Sequence, residues 1–233
     1  MLKVNGLYKS FRGPVHAVRN VSFSMGRCEA MGVVGESGSG KTTLAKLVTR
    51  LLAPDAGDIR FDGKGMQIVF QNPNASFDPR MTIGASLYEA LSLGPEKKKA
   101  DLKERMFRLL GSAGLPVQYA KRFPNELSGG ECQRIAIIRA LSRDPELLVC
   151  DEPVSSLDLL AQAKILNLFL KLRQERGISL LFISHDLRVV RHLCDRVIVM
   201  KNGQVCEAGS IAQVFQNPQD AYTKELLLSS GIT

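Results

Sequence analysis

Nine residues in this 233-residue chain, GESGSGKTT from Gly35 to Thr43, have the spacing of a phosphate cradle, G-x-x-x-x-G-K-[ST]. Glycines at 35, 38 and 40 leave backbone N–H groups unhindered, and Glu36, Ser37 and Ser39 complete a turn whose amides converge on an anion at a helix N-terminus. Lys41 would reach the outer phosphates of a nucleoside triphosphate, the Thr42 hydroxyl would ligate Mg²⁺, and Thr43 continues the first helical turn. A second group with chemical potential is LLVCDEP, where four apolar residues feed the carboxylates Asp151 and Glu152. Adjacent acids repel unless a cation offsets them, so beside a triphosphate Asp151 would hold the metal, through water or the Thr42 hydroxyl. Glu152 would orient or deprotonate the water that attacks the γ-phosphate. Gln71, after GMQIVF, would turn its amide to the metal or to that water, and His185, after ISLLFIS, would contact the γ-phosphate.

These groups need strands that deliver them to one edge. AMGVV before the cradle, DIRFDG, GMQIVF, LLVCD and ISLLFIS read as strands, and LAKLVTRLL resumes as a helix after the cradle. The opening segments LKVNGL, YKSF and HAVRNVSFSM suggest two or three short strands around a turn at Arg12-Gly13-Pro14, where Phe11 or Tyr8 could stack on a base. From residue 72 to about 144 the texture is helical, an inserted block inside an α/β pattern. Within it LSGGE offers Ser128 as an N-cap and Glu131 to the helix dipole, while Gly129 and Gly130 expose N–H groups that could equally grip a phosphate. SSLD caps a long helix reaching about Glu175, DRVIVMKNGQVCEAG is a hairpin turning at Asn-Gly, and two short helices close the chain.

Composition sets outer bounds. A 45% hydrophobic content excludes wholesale disorder, and no apolar run is long enough to cross a bilayer. The start MLKVNGLYKSF has no hydrophobic signal core, so a cytoplasmic protein is expected. The net charge of +8 admits an anionic partner, yet Lys and Arg are scattered and the one dense run, Glu96 to Arg105, reads as a solvated helix face. Five dispersed cysteines, none in C-x-x-C, are expected to be reduced and to act as small apolar residues.

Taken in order, these segments resemble the ATP-binding subunit of an ABC transporter over nearly the whole chain. GESGSGKTT matches Walker A, Gln71 the Q-loop, Leu127 to Glu131 the signature, LLVCD with Glu152 Walker B, SSLD the D-loop and His185 the H-loop. The resemblance implies a single ABC ATPase domain over residues 1–233, with a RecA-like P-loop NTPase α/β core, an antiparallel β subdomain holding the adenine, and a helical subdomain at about 72–144 that touches membrane partners. The pattern L-x-K-x-aromatic matches Leu7, Lys9 and Phe11, which favours Phe11 over Tyr8 as the adenine platform. It also implies ATP and Mg²⁺ as cofactors, the metal held by Thr42, Gln71 and Asp151. The working unit would be a head-to-tail pair of cassettes in which Ser128, Gly129, Gly130 and Glu131 contact the ATP on the partner's Lys41.

FQNPNASFDPRMTI, PVSSLDLLAQAKILNLFLKL and FQNPQDAYTKELL look like the peptide and nickel uptake branch. That branch implies two permease subunits, an extracytoplasmic solute-binding protein acting indirectly, a second ATPase that is identical or different, and a peripheral place on the cytoplasmic face of the inner membrane. No nucleic acid is expected, although a soluble ABC ATPase acting on DNA or ribosomes is the alternative that the positive charge admits. Two departures stand out. Glu131 replaces the usual glutamine of the signature, and the dispersed cysteines lead us to expect no C-terminal iron–sulfur cluster.

Overall fold

The computed structural model describes residues 1–11, 16–94 and 98–231. An antiparallel pair, β1 (Leu2–Ser10) and β2 (His16–Met25), opens the chain, and β3 (Ala30–Val34) leads into α1 (Lys41–Val48). β4 (Ala56–Phe61) and β5 (Met66–Val69) precede a helical stretch of α2 (Ile83–Ser92), α3 (Lys99–Ser112) and α4 (Gly129–Leu141), with short 3₁₀ turns between them. Then come β6 (Leu147–Asp151), α5 (Leu159–Arg176), β7 (Ser179–Ile183), α6 (Leu187–Leu193), the hairpin β8 (Arg196–Lys201) and β9 (Gln204–Ser210), α7 (Ile211–Gln216) and α8 (Ala221–Ser229).

Two sheets divide the strands. The smaller has the order β2-β1-β4 and is antiparallel; the larger has the order β5-β6-β7-β3-β8-β9 and is parallel except for the edge strand β9. β3, β6 and β7 are buried at every position, as expected of parallel strands covered on both faces. Their side chains alternate between two cores. Leu148, Cys150, Leu180 and Phe182 join Ile83, Leu109 and Ile135 of α2, α3 and α4, while Leu147, Val149, Leu181 and Ile183 pack with Leu44 of α1 and Leu2 and Leu7 of β1. The period-two alternation therefore ties the helical stretch to one face and the antiparallel sheet to the other.

Several expectations are sharpened. The opening segments form two strands, the smaller of the two numbers expected, because LKVNGL and YKSF run together as the single nine-residue β1 with register shifts; the Arg12-Gly13-Pro14 turn lies outside the described residues, as do Glu96 and Lys97 of the basic run. Asp101, Lys103 and Glu104 of that run are exposed, as a solvated helix face requires. β5 stops at Val69, two residues before Gln71. α6 had no counterpart in the sequence reading, because seven residues after His185-Asp186 complete only two turns and show no clear period. Its start is marked by Asp186, whose carboxylate accepts from the Arg188 N–H at 2.9 Å. All five cysteines are free, and Cys132, Cys150 and Cys194 are core residues. Cys28 departs from the expectation: it is exposed, at φ 58° in the turn before β3.

Candidate active site

Four parallel strands end at the same sheet edge, and each delivers one expected group. Gly35 follows β3, Gln71 comes two residues after β5, Asp151 ends β6 with Glu152 next, and His185 comes two residues after β7. Gln71, Glu152 and His185 border a cavity of about 990 Å³ whose lining also includes Phe11, Ser37, Gly38, Gly40, Lys41, Thr42 and Thr43, while Gly35 and Asp151 are not part of this lining.

The loop from Gly35 to Gly40 is shaped partly by anion access and partly by its neighbours. Gly40 sits at φ 103° as the N-cap of α1 with no side-chain cap bond, so first-turn N–H groups stay available to a ligand. A Cβ on Gly40 would stand 2.1 Å from the Ala17 carbonyl oxygen, and one on Gly35 would stand 2.1 Å from that of Met200. These two glycines thus answer to adjacent strands, whereas Gly38 has nothing within 4 Å of its would-be Cβ. Gly35, Glu36 and Ser39, expected in the phosphate cradle, are not among the lining residues.

Lys41 is 5% exposed. Its Nζ donates to the Gly35 carbonyl at 2.8 Å and the Glu36 carbonyl at 2.7 Å, and lies 3.3 Å from Ser39 Oγ. Burial pushes the Lys41 pKa down, against the pull of Glu152, Asp151 and Glu36. A phosphate oxygen, carrying charge where the carbonyls carry only a dipole, would stabilise this ammonium further.

Beneath α1, Thr42 Oγ1 donates to Asp151 Oδ1 at 3.1 Å. Asp151 is 4% exposed; burial pushes its pKa up, the Thr42 hydrogen bond opposes this, and neighbouring Glu152 adds to the rise. A buried carboxylate beside a second one suits a cation. Among the described residues no cluster of three or more His, Cys, Asp or Glu could hold a metal by itself, so a cation at Thr42 and Asp151 needs further oxygen ligands such as a triphosphate offers.

Glu152 is the focus of the remaining groups. Its backbone is left-handed, φ 47°, and its N–H donates to the Ile183 carbonyl of β7 at 3.0 Å. A non-glycine residue in that conformation costs about 1–2 kcal/mol, which the pairing to β7 helps to hold. Glu152 Oε2 accepts from Gln71 Nε2 at 3.3 Å and lies 3.1 Å from His185 Nδ1, and the same Gln71 nitrogen is 3.2 Å from Ser155 Oγ. Residues from three strands thereby meet at one carboxylate oxygen.

The Ser128–Glu131 turn stands apart, since none of its residues lines this cavity. Ser128 caps α4: its Oγ accepts from the Glu131 N–H at 3.3 Å, while Glu131 Oε2 accepts from the Ser128 N–H at 2.9 Å, a reciprocal capping box. The other oxygen, Oε1, accepts from the Tyr119 hydroxyl at 2.5 Å, and Arg122 lies 4.2 Å from the Tyr119 ring centroid. The Tyr119 hydrogen bond chiefly holds the Glu131 carboxyl below its usual range. Glu131 is therefore engaged by its own helix end. Gly130 has a packing role as well, because a Cβ there would come within 2.8 Å of Ala161 Cβ on α5.

The sequence reading missed part of the cavity wall. His16, Ala17 and Arg19 at the start of β2, and Asn202 at the β8–β9 turn, also line it. Asn202-Gly203 reads in the sequence only as a hairpin turn, and the β2 residues carry no local pattern that points to a ligand. Of the two aromatic candidates, Phe11 is 46% exposed and faces the cavity, whereas Tyr8 is not among its lining residues.

Comparison with known proteins agrees with this geometry. The ABC transporter family model matches residues 18–155. A putative peptide import ATP-binding protein of Brucella ovis is 44% identical over 245 residues, covering 97% of this chain and 77% of the relative. The dipeptide transport ATP-binding protein of Haemophilus influenzae is 42% identical over 228 residues, covering 91% and 70% respectively. Among solved structures, a dimeric ATP-binding cassette in a post-hydrolysis state bound to ADP and Pi superposes with TM-score 0.82 at 28% identity, covering 91% of this chain and 99% of that one. CbiO1 of Clostridium perfringens, part of an ABC transporter complex, gives TM-score 0.82 at 26% identity, covering 97% of this chain and 94% of that one. With the phosphate loop, Glu152 and the strand-end histidine converging on one cavity, and with relatives matched along nearly its whole length, this chain belongs to the ABC transporter family of ATP-binding cassettes.

Proposed function

We propose that this ATP-hydrolysing chain drives the uptake of a peptide through a membrane transporter, paired with a second ABC ATPase so that each ATP is enclosed between two subunits. One observation carries the pairing. Lys41, Gln71, Glu152 and His185 share a cavity, while Ser128, Gly129, Gly130 and Glu131 lie outside it, so the signature turn has no nucleotide of its own to touch. In a head-to-tail pair the turn meets the partner's triphosphate. The Ser128 hydroxyl, which accepts from Glu131, keeps its proton to donate, and the first N–H groups of α4 face the anion.

Within each site Phe11 stacks on adenine, Gly35 to Thr43 cradle the phosphates and Lys41 moves from the loop carbonyls to the outer phosphates. Thr42, Asp151 and Gln71 would hold Mg²⁺, which would supply positive charge against the charge developing on the transferring phosphoryl group. Glu152 orients or deprotonates the attacking water, with its carboxylate positioned by Gln71 and His185, and His185 contacts the γ-phosphate. Residues 1–233 act as one nucleotide-binding domain, with about 72–144 forming a helical subdomain that meets two permease subunits.

Peptide is the proposed cargo because several of the matched relatives are named for peptide import or dipeptide transport, and none of those reported above is named for nickel. The chain would sit peripherally at the cytoplasmic face of the inner membrane, with an extracytoplasmic binding protein delivering solute. No helix among the described residues is long and apolar enough to cross a membrane. The test is phosphate release by the purified chain with and without Mg²⁺ across protein concentrations, joined to peptide uptake by cells lacking the gene. Turnover whose specific rate is independent of protein concentration would sink the shared-site reading, and undiminished uptake of di-, tri- and oligopeptides would sink the cargo.

A further inference from the structure

The peptide unit joining Gly35 to Glu36 is held at both ends. Its carbonyl accepts from Lys41 Nζ at 2.8 Å, and its N–H donates to the Tyr222 hydroxyl at 3.0 Å, a contact across 186 residues of sequence. Glycine at position 35, at φ 147°, leaves this plane free to rotate at small local cost. An external anchor is therefore what keeps the carbonyl turned toward Lys41.

Tyr222 is built to be that anchor. It is 5% exposed, and Lys201 Nζ lies 4.2 Å from its ring centroid. Its helix α8 is seated on β9 by Glu207, whose carboxylate accepts from the Gln219 and Asp220 N–H groups at 2.9 and 3.1 Å. Asp220 in turn caps α8, accepting from the Tyr222 N–H at 2.8 Å. On the other side of the loop, the Gly203 N–H donates to the Ser39 carbonyl at 3.0 Å. The loop is clamped between the β8–β9 hairpin and α8.

We propose that Tyr222 is a positioning residue for ATP binding: through the Gly35–Glu36 peptide plane it sets where the Lys41 ammonium is held, so α8 preorganises the phosphate cradle. This rests on the ATP site described above. Preorganisation matters because a loop ordered before the ligand arrives spares the ligand that ordering cost. Tyr222 touches no substrate atom and acts only through the loop.

The experiment is Tyr222→Phe, which removes one oxygen and keeps the ring. One lost hydrogen bond predicts a rise in the ATP Kd of roughly three- to tenfold, appearing in KM more than in kcat. The melting temperature should fall by no more than about 6 °C, the scale of a single lost hydrogen bond in a chain of this size. Hydrogen exchange at the Glu36 amide should accelerate in the nucleotide-free protein. In a Lys41→Met background the same substitution should leave the already weakened Kd unchanged, because the effect runs through Lys41. A wild-type Kd with wild-type exchange at Glu36 would overturn the proposal, as would a Kd rise of equal size in both backgrounds. Wild-type protein that binds no ATP would instead overturn the site assignment on which the proposal stands, and the proposal with it.

Discussion

His185 Nδ1 and Glu152 Oε2 stand 3.1 Å apart at the ends of two neighbouring parallel strands, and Gln71 donates to the same carboxylate oxygen from a third. Glu152 is thus fixed before any water arrives, with its second oxygen left to meet it. Glu152→Gln keeps the size and the hydrogen-bonding shape but loses the base. We expect phosphate release to fall at least about 100-fold, with ATP still bound and the pair of cassettes trapped closed. Single-turnover phosphate release and size-exclusion chromatography in ATP check both halves; rapid hydrolysis by this variant would remove Glu152 from the role.

Asp151 is expected to trade stability for function. Burial raises its pKa, so the folded state holds the proton more tightly than the unfolded chain, whose group has the ordinary value of 3.8. Stability from this group is therefore lost as pH rises from 3.8 through the higher folded value, and at neutral pH the ionised form is a cost. Asp151→Asn should raise the melting temperature of the nucleotide-free protein at pH 7, by about 2–4 °C for each kcal/mol relieved, and should abolish Mg²⁺-dependent ATP binding. A lower melting temperature would contradict the sign.

Phe11 and Tyr8 are separated by a binding measurement. Base stacking on an aromatic ring is worth about 1–3 kcal/mol, so Phe11→Ala should weaken ATP binding by about tenfold or more while Phe11→Tyr retains it. Tyr8→Ala should leave the Kd where it was, because Tyr8 does not line the cavity. The reverse pattern in a fluorescent-nucleotide titration would exchange the two roles.

Glu131 answers to pH in the opposite sense from Asp151. Its pKa is lowered, chiefly by the Tyr119 hydrogen bond, so its contribution is fully present above the ordinary value of 4.5 and is lost as pH falls through the lower folded value. Glu131→Gln should reduce stability at neutral pH by about 0.5–1 kcal/mol, the scale of a helix-end cap and dipole interaction. It should also flatten the acid side of the stability profile. Thermal melts of both proteins from pH 7 to pH 3 make the comparison, and parallel curves would show that the carboxylate adds nothing to the cap.

Much of the site was legible because its chemistry is local. Gly35 to Thr43 have the spacing of a cradle built from consecutive backbone amides, so this part of the reading was legible in the sequence alone. Gln71, Asp151, Glu152 and His185 follow buried apolar runs, and in a parallel sheet such runs end at one edge. Glu131 was recognised as a departure, but its destination was not: whether its carboxylate faced a phosphate or its own helix end depended on Tyr119, twelve residues away on a 3₁₀ turn.

The sequence by itself determined that a glycine-rich loop of phosphate-binding spacing and a pair of carboxylates after a buried apolar run exist, since each is written in neighbouring residues. Only the tertiary structure decided which side chains complete them. Strand order brings Gln71, Glu152 and His185 to one oxygen, the antiparallel sheet presses Ala17 onto Gly40, and α8 folds back to set Tyr222 against the Glu36 amide. Those contacts join residues with no periodic or motif relation along the chain. They form because two hydrophobic cores on opposite faces of one parallel sheet fix where each strand end must stand.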